Sequence, residues 1–170
     1  CSVQDRGGGL YFGSSQSLLE DLVVRPCRNT GDYDAAGGGI ACREASITLR
    51  RVLVSDCHSH RDGGGIYCRA SSPILEQVTL VDNSTAWGGG GIGVDNGSAP
   101  VLSACLIANN SASAGGGLYA RDTSSAPTVL CTDAAENSPS NYGGNWADPT
   151  GEDGNISEPP RFCDAYHGDY

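Results

Sequence analysis

The chain has 170 residues, enough for one domain with a substantial core. Its formal net charge is −10, from 20 acidic residues against 10 basic residues that are all arginine, and this balance excludes nucleic acid and anionic membrane surfaces as expected partners. Glycine accounts for 25 residues, but aliphatic residues are spread between the glycine clusters, so the composition predicts a folded chain rather than a collagen-like or disordered one.

Glycine clusters recur along the chain, and an aliphatic residue follows each of them. The five aliphatic residues are Leu10, Ile40, Ile66, Ile92 and Leu118. They are separated by 30, 26, 26 and 26 residues, and a sixth, degenerate copy is NYGGNW, in which Asn145 lies 27 residues after Leu118. A fixed period of this length is typical of stacked or radial repeats.

Within each period the sequence predicts two or three short strands and no helix. The first strand alternates, with Ile66 and Cys68 predicted to point inward and Tyr67 and Arg69 outward. A small polar turn follows, and then a run rich in β-forming residues. In this run Val52 and Val54 align with Val78 and Leu80, and with Cys105 and Ile107.

A coil of about 26 residues suits one turn of a three-faced parallel β-helix, in which each strand pairs with its equivalent one turn away at about 4.8 Å. A propeller blade is excluded because it needs about 40 residues. The glycines are predicted at tight corners, where positive φ or close backbone approach favours glycine. We therefore expect an all-β solenoid of about five coils over residues 1–145, with residues 146–170 as an irregular C-terminal segment packed on the last coil.

Two stretches carry a resemblance to a known family. LVDNSTAWGGGGI and LIANNSASAGGGLYA resemble the repeats of right-handed parallel β-helix proteins of bacterial cell surfaces, such as chlamydial polymorphic outer-membrane proteins and adhesin passengers. GEDGNISEPPRFCD is similar to a segment that often follows the last regular coil in such proteins. The resemblance covers about residues 7–165 and implies a right-handed coil, but it is weak for activity, because such folds include adhesins, polysaccharide lyases and tail fibres.

Stacking turns the outward positions of the first strand into ladders on one face. Tyrosine recurs in one ladder, and arginine recurs in its neighbour together with one aspartate. The candidate ligand-binding residues are Tyr11, Tyr67 and Tyr119 in the first ladder, and Arg43, Arg69, Asp95 and Arg121 in the second. An exposed strip of this kind can stack on sugar rings and bind carboxylated saccharides. The alternative is an ordinary solvated face, where Asp95 relieves the repulsion between Arg69 and Arg121.

No cofactor is expected, and a structural Ca²⁺ is the alternative. Residues 90–97 match the start of a calcium-binding nonapeptide, but only one copy exists. The acidic loop at residues 151–155 could hold a surface Ca²⁺, but it is more typical of a solvated turn. His58, His60 and Asp62 lie close together in one corner, yet the sequence indicates no fourth ligand for a metal.

Eight cysteines without CxxC or zinc-finger spacing indicate an oxidising compartment, so we expect an extracellular or cell-surface location. Cys42 and Cys68 occupy one inward column at disulfide distance, and a buried ladder of reduced thiols is the alternative. The other disulfide candidates are Cys1, Cys27 and Cys57, which share a corner column, and Cys131 and Cys163, which could tie the C-terminal segment to the last coil.

Two functions stay open at this point. The first is a structural or adhesive module without catalysis, because the acids are dispersed over different faces, no lysine can act as a base, and no nucleophile motif occurs. The second is a carbohydrate-active module that binds acidic polysaccharide on the tyrosine and arginine face, or cleaves it as a lyase or glycoside hydrolase would. Expected partners are a glycan or a cell-surface protein, with further coils or another chain at the solenoid ends. No membrane insertion is expected, since no apolar run approaches the roughly 20 residues that span a bilayer.

Overall fold

The computed structural model describes residues 1–4, 6–31 and 36–160. Within these ranges the chain forms only strands, turns and irregular segments, and every strand pair is parallel. The chain winds as a solenoid whose successive coils contribute strands to three sheets. The expected all-β architecture of about five coils is confirmed. Nothing helical in the described ranges has the length and apolarity that a membrane span requires.

The strands are numbered in chain order and fall into three sheets. The first sheet consists of β1 (Ser2–Val3), β4 (Arg28–Asn29), β7 (His58–Ser59) and β11 (Ser84–Thr85). The second sheet consists of β2 (Leu10–Gly13), β5 (Ile40–Arg43), β8 (Ile66–Arg69), β12 (Ile92–Asp95), β15 (Leu118–Ala120) and β18 (Tyr142–Gly144). The third sheet consists of β3 (Leu18–Val24), β6 (Thr48–Ser55), β9 (Ile74–Glu76), β10 (Thr79–Val81), β13 (Val101–Ser103), β14 (Leu106–Ala108), β16 (Thr128–Leu130) and β17 (Asp133–Ala135).

The register of the second sheet follows the sequence period. Ile40, Ile66, Ile92 and Leu118 are successive Cα partners, and all four side chains have no exposed surface. Burial of each such side chain stabilises the fold by about 1.5–3 kcal/mol. Leu10 is the Cα partner of Ile40, so the longer interval between these two residues does not change the register of the second sheet.

The last coil departs from the predicted register. The Cα partner of Leu118 is Tyr142 and not Asn145, so Gly143 and Gly144 lie inside β18 rather than at the corner before it. Tyr142 is 6% exposed and fills the core position of this rung. The register of the last coil is therefore set by the aromatic ring of Tyr142, which reaches the core, and not by the positions of the glycines.

The glycine corners are confirmed only in part. In four of the five runs the first glycine turns the chain, as at Gly63 with φ +66°, and in residues 88–91 the second glycine, Gly89, does so. The glycine after the turn, such as Gly64, is needed for close approach. A Cβ at Gly64 would lie 2.4 Å from the carbonyl oxygen of Gly90. At other corners, residues other than glycine adopt the left-handed backbone region. Positive φ occurs at one corner in Asp56, Asp82, Asn109 and Glu136. It occurs at the bend of the third sheet in Arg51, Gln77, Ala104 and Cys131.

A buried asparagine ladder runs along one corner of the solenoid. Asn83 and Asn110 have no exposed surface, and Asn137 continues their column. The Oδ1 atom of Asn110 accepts hydrogen bonds from the backbone N and from Nδ2 of Asn83, both at 3.0 Å. The Nδ2 atom of Asn110 donates to the carbonyl of Leu80 and to Oδ1 of Asn137, both at 2.9 Å. The amide of Asn110 therefore joins three coils, and the ladder satisfies the polar groups of a buried corner.

Residues 146–160 lie against the last coils. The ring of Trp146 meets that of Tyr142 edge to face at 5.6 Å. Asn155 accepts a hydrogen bond from the backbone N of Thr132 and donates to the carbonyl of Val129. Ile156 forms a parallel bridge with Asp133, so this segment adds one partial rung to the solenoid.

Candidate functional site

The predicted strip of exposed tyrosines is not present as a strip. Tyr67 points outward but is only 9% exposed, because the glycine corner folds over it and a Cβ at Gly63 would lie 2.8 Å from the Cβ of Tyr67. Tyr119 is half-buried. Tyr11 lies two coils before Tyr67 and is 40% exposed, and Arg6 donates to its hydroxyl at 3.2 Å. The outward column is therefore covered for part of its length.

Gly93 interrupts this column between Tyr67 and Tyr119. A Cβ at Gly93 would lie 2.8 Å from the backbone N of Gly63 and 3.1 Å from the Cβ of Asp62. Because no side chain stands there, Asp62 and Arg121 reach each other across the intervening coil. The Nη2 atom of Arg121 donates to Oδ2 of Asp62 at 2.6 Å, although the two residues are 59 positions apart in the sequence.

A cleft of about 230 Å³ opens beside this ion pair, and we call it the arginine cleft. Among the described residues, its charged lining comprises Arg43, Arg61, Arg69, Arg121, Asp62 and Asp95, together with Tyr67 and Ala36. These four arginines and two aspartates sum to a formal charge of +2, although the whole chain carries −10. Such a local reversal of charge attracts anions.

The two aspartates of the arginine cleft are both hydrogen-bonded within the protein. Asp62 is 4% exposed, and its Oδ1 atom accepts a hydrogen bond from the backbone N of Gly88 at 3.3 Å. Burial raises the pKa of Asp62, and the positive charge of Arg121 opposes that rise. The hydroxyl of Tyr67 donates to Oδ2 of Asp95 at 3.2 Å, and burial raises the pKa of Tyr67, so this phenol keeps its proton.

A second, more open cleft of about 340 Å³ adjoins the first, and we call it the tryptophan cleft. Trp87 and Tyr119 supply its aromatic surface, and Asp62 and Arg121 line both clefts. Trp87 is 48% exposed. The guanidinium of Arg61 lies 4.3 Å from the centroid of the Trp87 ring and that of Arg121 lies 5.5 Å from it, so the ring holds both cations in place.

The structure brings together most of the candidate residues. Arg43, Arg69, Asp95 and Arg121 line the arginine cleft with Tyr67, and Tyr119 lines the tryptophan cleft, whereas Tyr11 lines neither. Arg121 forms its ion pair with Asp62, a residue that the sequence associated only with metal binding. Ligand binding by these residues stays a prediction.

Sequence reasoning missed Arg61 and Trp87, and it missed the position of Asp62 in the cleft. These three residues belong to the corners that precede two glycine runs. Their position directly before a glycine run was the only sequence signal for a place in the cleft. A glycine run that folds over the outward face of the first strand brings the residues before it onto that face.

Within the described ranges, no three His, Cys, Asp or Glu side chains gather closely enough to hold a metal. The Nδ1 atom of His58 lies 3.0 Å from the hydroxyl of Ser84, and Asp62 faces the arginine cleft. In the acidic loop at residues 151–155, the backbone N of Gly151 donates to the carbonyl of Asn155 at 2.9 Å, and Asn155 is 1% exposed because its side chain points into the fold.

The structure draws no disulfide bond among the seven described cysteines, and Cys163 lies outside the described residues. Cys42 and Cys68 are Cα partners, and a hydrogen bond between the two thiols and burial both raise the pKa of Cys68. Cys27 and Cys57 stack in the predicted corner column, where burial raises the pKa of Cys57 to about 12. Cys1 is exposed at the start of the same column. The predicted disulfides stay predictions.

We expect a thiol reagent to distinguish two classes of cysteine in the native protein. Cys1 and Cys131 are exposed and should be alkylated by iodoacetamide, whereas the buried thiols should not react, because the thiolate is the nucleophile and burial suppresses it. Peptide mass spectrometry before and after unfolding in urea measures this. Native labelling of Cys42 or Cys68 would contradict the expectation, and their resistance in urea without a reductant would reveal a disulfide.

The repeat architecture of the chain matches one known protein family. A family model described as a right handed beta helix region matches residues 1–143. The matched range contains all the residues that line the arginine and tryptophan clefts. No curated protein and no solved structure was found to match the chain.

Proposed function

Because this chain belongs to the right-handed β-helix family, we propose that it is an extracellular or cell-surface module that acts by rigidity and adhesion and not by catalysis. The in-register sheets and the asparagine ladder support a rigid body, since each interior coil is hydrogen-bonded to the coils on both sides. The cysteine pattern supports the location, because many cysteines without metal-site spacing are typical of oxidising compartments.

We further propose that the adhesive surface is the arginine cleft and that its ligand is an acidic saccharide. One observation carries this proposal: four of the ten arginines of an acidic chain converge on a single cleft. Guanidinium groups bind carboxylates through paired, charge-assisted hydrogen bonds. The adjoining Trp87 and Tyr119 offer flat apolar surface of the kind on which sugar rings pack.

Cleavage of the same polysaccharide is the rival function. It requires a base or an acid pair that is available to the substrate. The two carboxylates found in the described lining of the arginine cleft, those of Asp62 and Asp95, already accept hydrogen bonds from Arg121 and Tyr67. This arrangement favours binding without cleavage.

We expect saturable binding of uronate-containing oligosaccharides on a glycan array, no binding of neutral ones, and no release of reducing or unsaturated ends. Arg69→Gln should weaken binding about tenfold, because it removes one charged hydrogen-bonding group. Arg25→Gln is the matched control, since it removes an equal charge outside both clefts. The proposal is wrong if no acidic glycan binds or if both variants lose affinity equally, and chain cleavage would support the rival.

A further inference from the structure

The side chain of Arg121 is held by a carboxylate of the protein itself. Its Nη2 atom donates to Oδ2 of Asp62 at 2.6 Å, and Asp62 is almost completely buried. We infer that Asp62 is an internal competitor of the ligand: its carboxylate occupies the position on Arg121 that the carboxylate of an acidic saccharide takes on binding. This inference rests on the proposed function of the arginine cleft and concerns the regulation of that site.

The geometry of Asp62 suits a group that can be exchanged on Arg121 without leaving the fold. Asp62 comes from the corner before β8, whereas Arg121 follows β15, so the contact crosses a whole coil through the space that Gly93 leaves. The other oxygen, Oδ1, is held by the backbone N of Gly88. Loss of the contact with Arg121 therefore leaves Asp62 anchored on its own side of the gap.

The ion pair also stands between the two clefts. Asp62 and Arg121 are the two residues that line both of them. Release of Arg121 from Asp62 would join the arginine cleft to the aromatic surface of Trp87 and Tyr119. A ligand that replaces Asp62 therefore needs a carboxylate directly attached to a ring, with the carboxylate on Arg121 and the ring in the tryptophan cleft. A uronic acid residue has this chemistry.

The test is the affinity of Asp62→Asn for trigalacturonate, measured by titration calorimetry at fixed ionic strength. Asparagine keeps an oxygen for the backbone N of Gly88 but has no charge with which to hold Arg121. We expect Asp62→Asn to bind trigalacturonate at least about tenfold more tightly than the parent chain, because a charged hydrogen bond no longer competes. Thermal unfolding of each variant verifies that the fold is kept.

Asp95→Asn is the matched control for charge. It removes one negative charge from the same cleft, but the carboxylate of Asp95 accepts hydrogen bonds from the hydroxyl of Tyr67 and from the backbone N of Asn96. The second control compares the single variant Arg121→Gln with the double variant Asp62→Asn/Arg121→Gln, which gives the effect of Asp62→Asn in the absence of Arg121. Competition for Arg121 predicts that the gain from Asp62→Asn exceeds that from Asp95→Asn and disappears when Arg121 is replaced.

The outcomes separate this inference from the proposed function. Binding by the parent chain with no gain in Asp62→Asn, or a gain that persists without Arg121, overturns the competition and leaves the proposed function intact. Absence of trigalacturonate binding in the parent chain and in Asp62→Asn alike overturns both. A gain that depends on Arg121 supports both.

Discussion

Replacement of Gly64 by alanine should lower the free energy of unfolding by about 4 kcal/mol or more, or prevent folding altogether. The added Cβ would lie 2.4 Å from the carbonyl oxygen of Gly90 and 2.5 Å from that of Ser84. Both atoms belong to the backbone of the next coil, and the carbonyl of Gly90 already accepts a hydrogen bond from Gly65 at 2.9 Å. Neither atom can retreat without breaking contacts between coils.

Gly13→Ala is the matched control for this substitution. The three atoms nearest to a Cβ at Gly13 would all belong to the side chain of Tyr11, with its hydroxyl oxygen at 3.0 Å. Tyr11 is 40% exposed and can rotate away, so the free energy of unfolding should change by less than about 1 kcal/mol. Urea denaturation followed by circular dichroism measures both variants. Equal stability of Gly64→Ala and Gly13→Ala would show that the coils are not in close contact at Gly64.

Asn110→Ala should lower the free energy of unfolding by about 4 kcal/mol. The substitution leaves the backbone N and the Nδ2 atom of Asn83 without their acceptor, and it removes one donor from the carbonyl of Leu80. These groups lie in a buried corner, where an unsatisfied polar group costs about 1–3 kcal/mol. The effect therefore spreads to the coils on both sides.

Asn145→Ala provides the comparison, because it removes the same amide from an exposed site. Asn145 makes one side-chain hydrogen bond, from Nδ2 to the carbonyl of Arg121, and water can replace it. The expected loss is below about 1 kcal/mol. Thermal unfolding followed by calorimetry distinguishes the two variants, and a small loss in Asn110→Ala would mean that water enters the corner.

Much of the fold could be predicted from the sequence because stacking is a periodic constraint. A residue whose neighbours lie one coil away must be compatible with the same column in each coil, so Ile40, Ile66 and Ile92 reveal their register directly. The prediction was wrong where the repeat decays. In the last coil Tyr142 takes the core position by size, and the glycines that marked earlier coils lie in the strand.

The candidate site could be predicted only as far as it follows single columns. Arg43 and Arg69 lie in one column and were found as such. Trp87 and Arg61 approach the cleft from separate corners, and Asp62 meets Arg121 only because Gly93 leaves a gap between them. Contacts of this kind depend on how far a side chain reaches across coils, which alternation along a strand does not encode.

The corner column changes its chemistry partway along the solenoid. Where Asn83 donates from Nδ2 to the carbonyl of Val54 at 2.9 Å, the Sγ atom of the equivalent Cys57 lies 3.6 Å from the carbonyl of Val24 and 3.2 Å from that of Ser55 in its own coil. A thiol is a weak donor and acceptor, whereas an amide donates and accepts at once. At this corner the coils joined through sulfur are therefore held less firmly than those joined through amides. The cysteine end depends instead on its third sheet, where β3 and β6 form the longest pairing of the solenoid and Arg50 and Arg51 form ion pairs across the two coils.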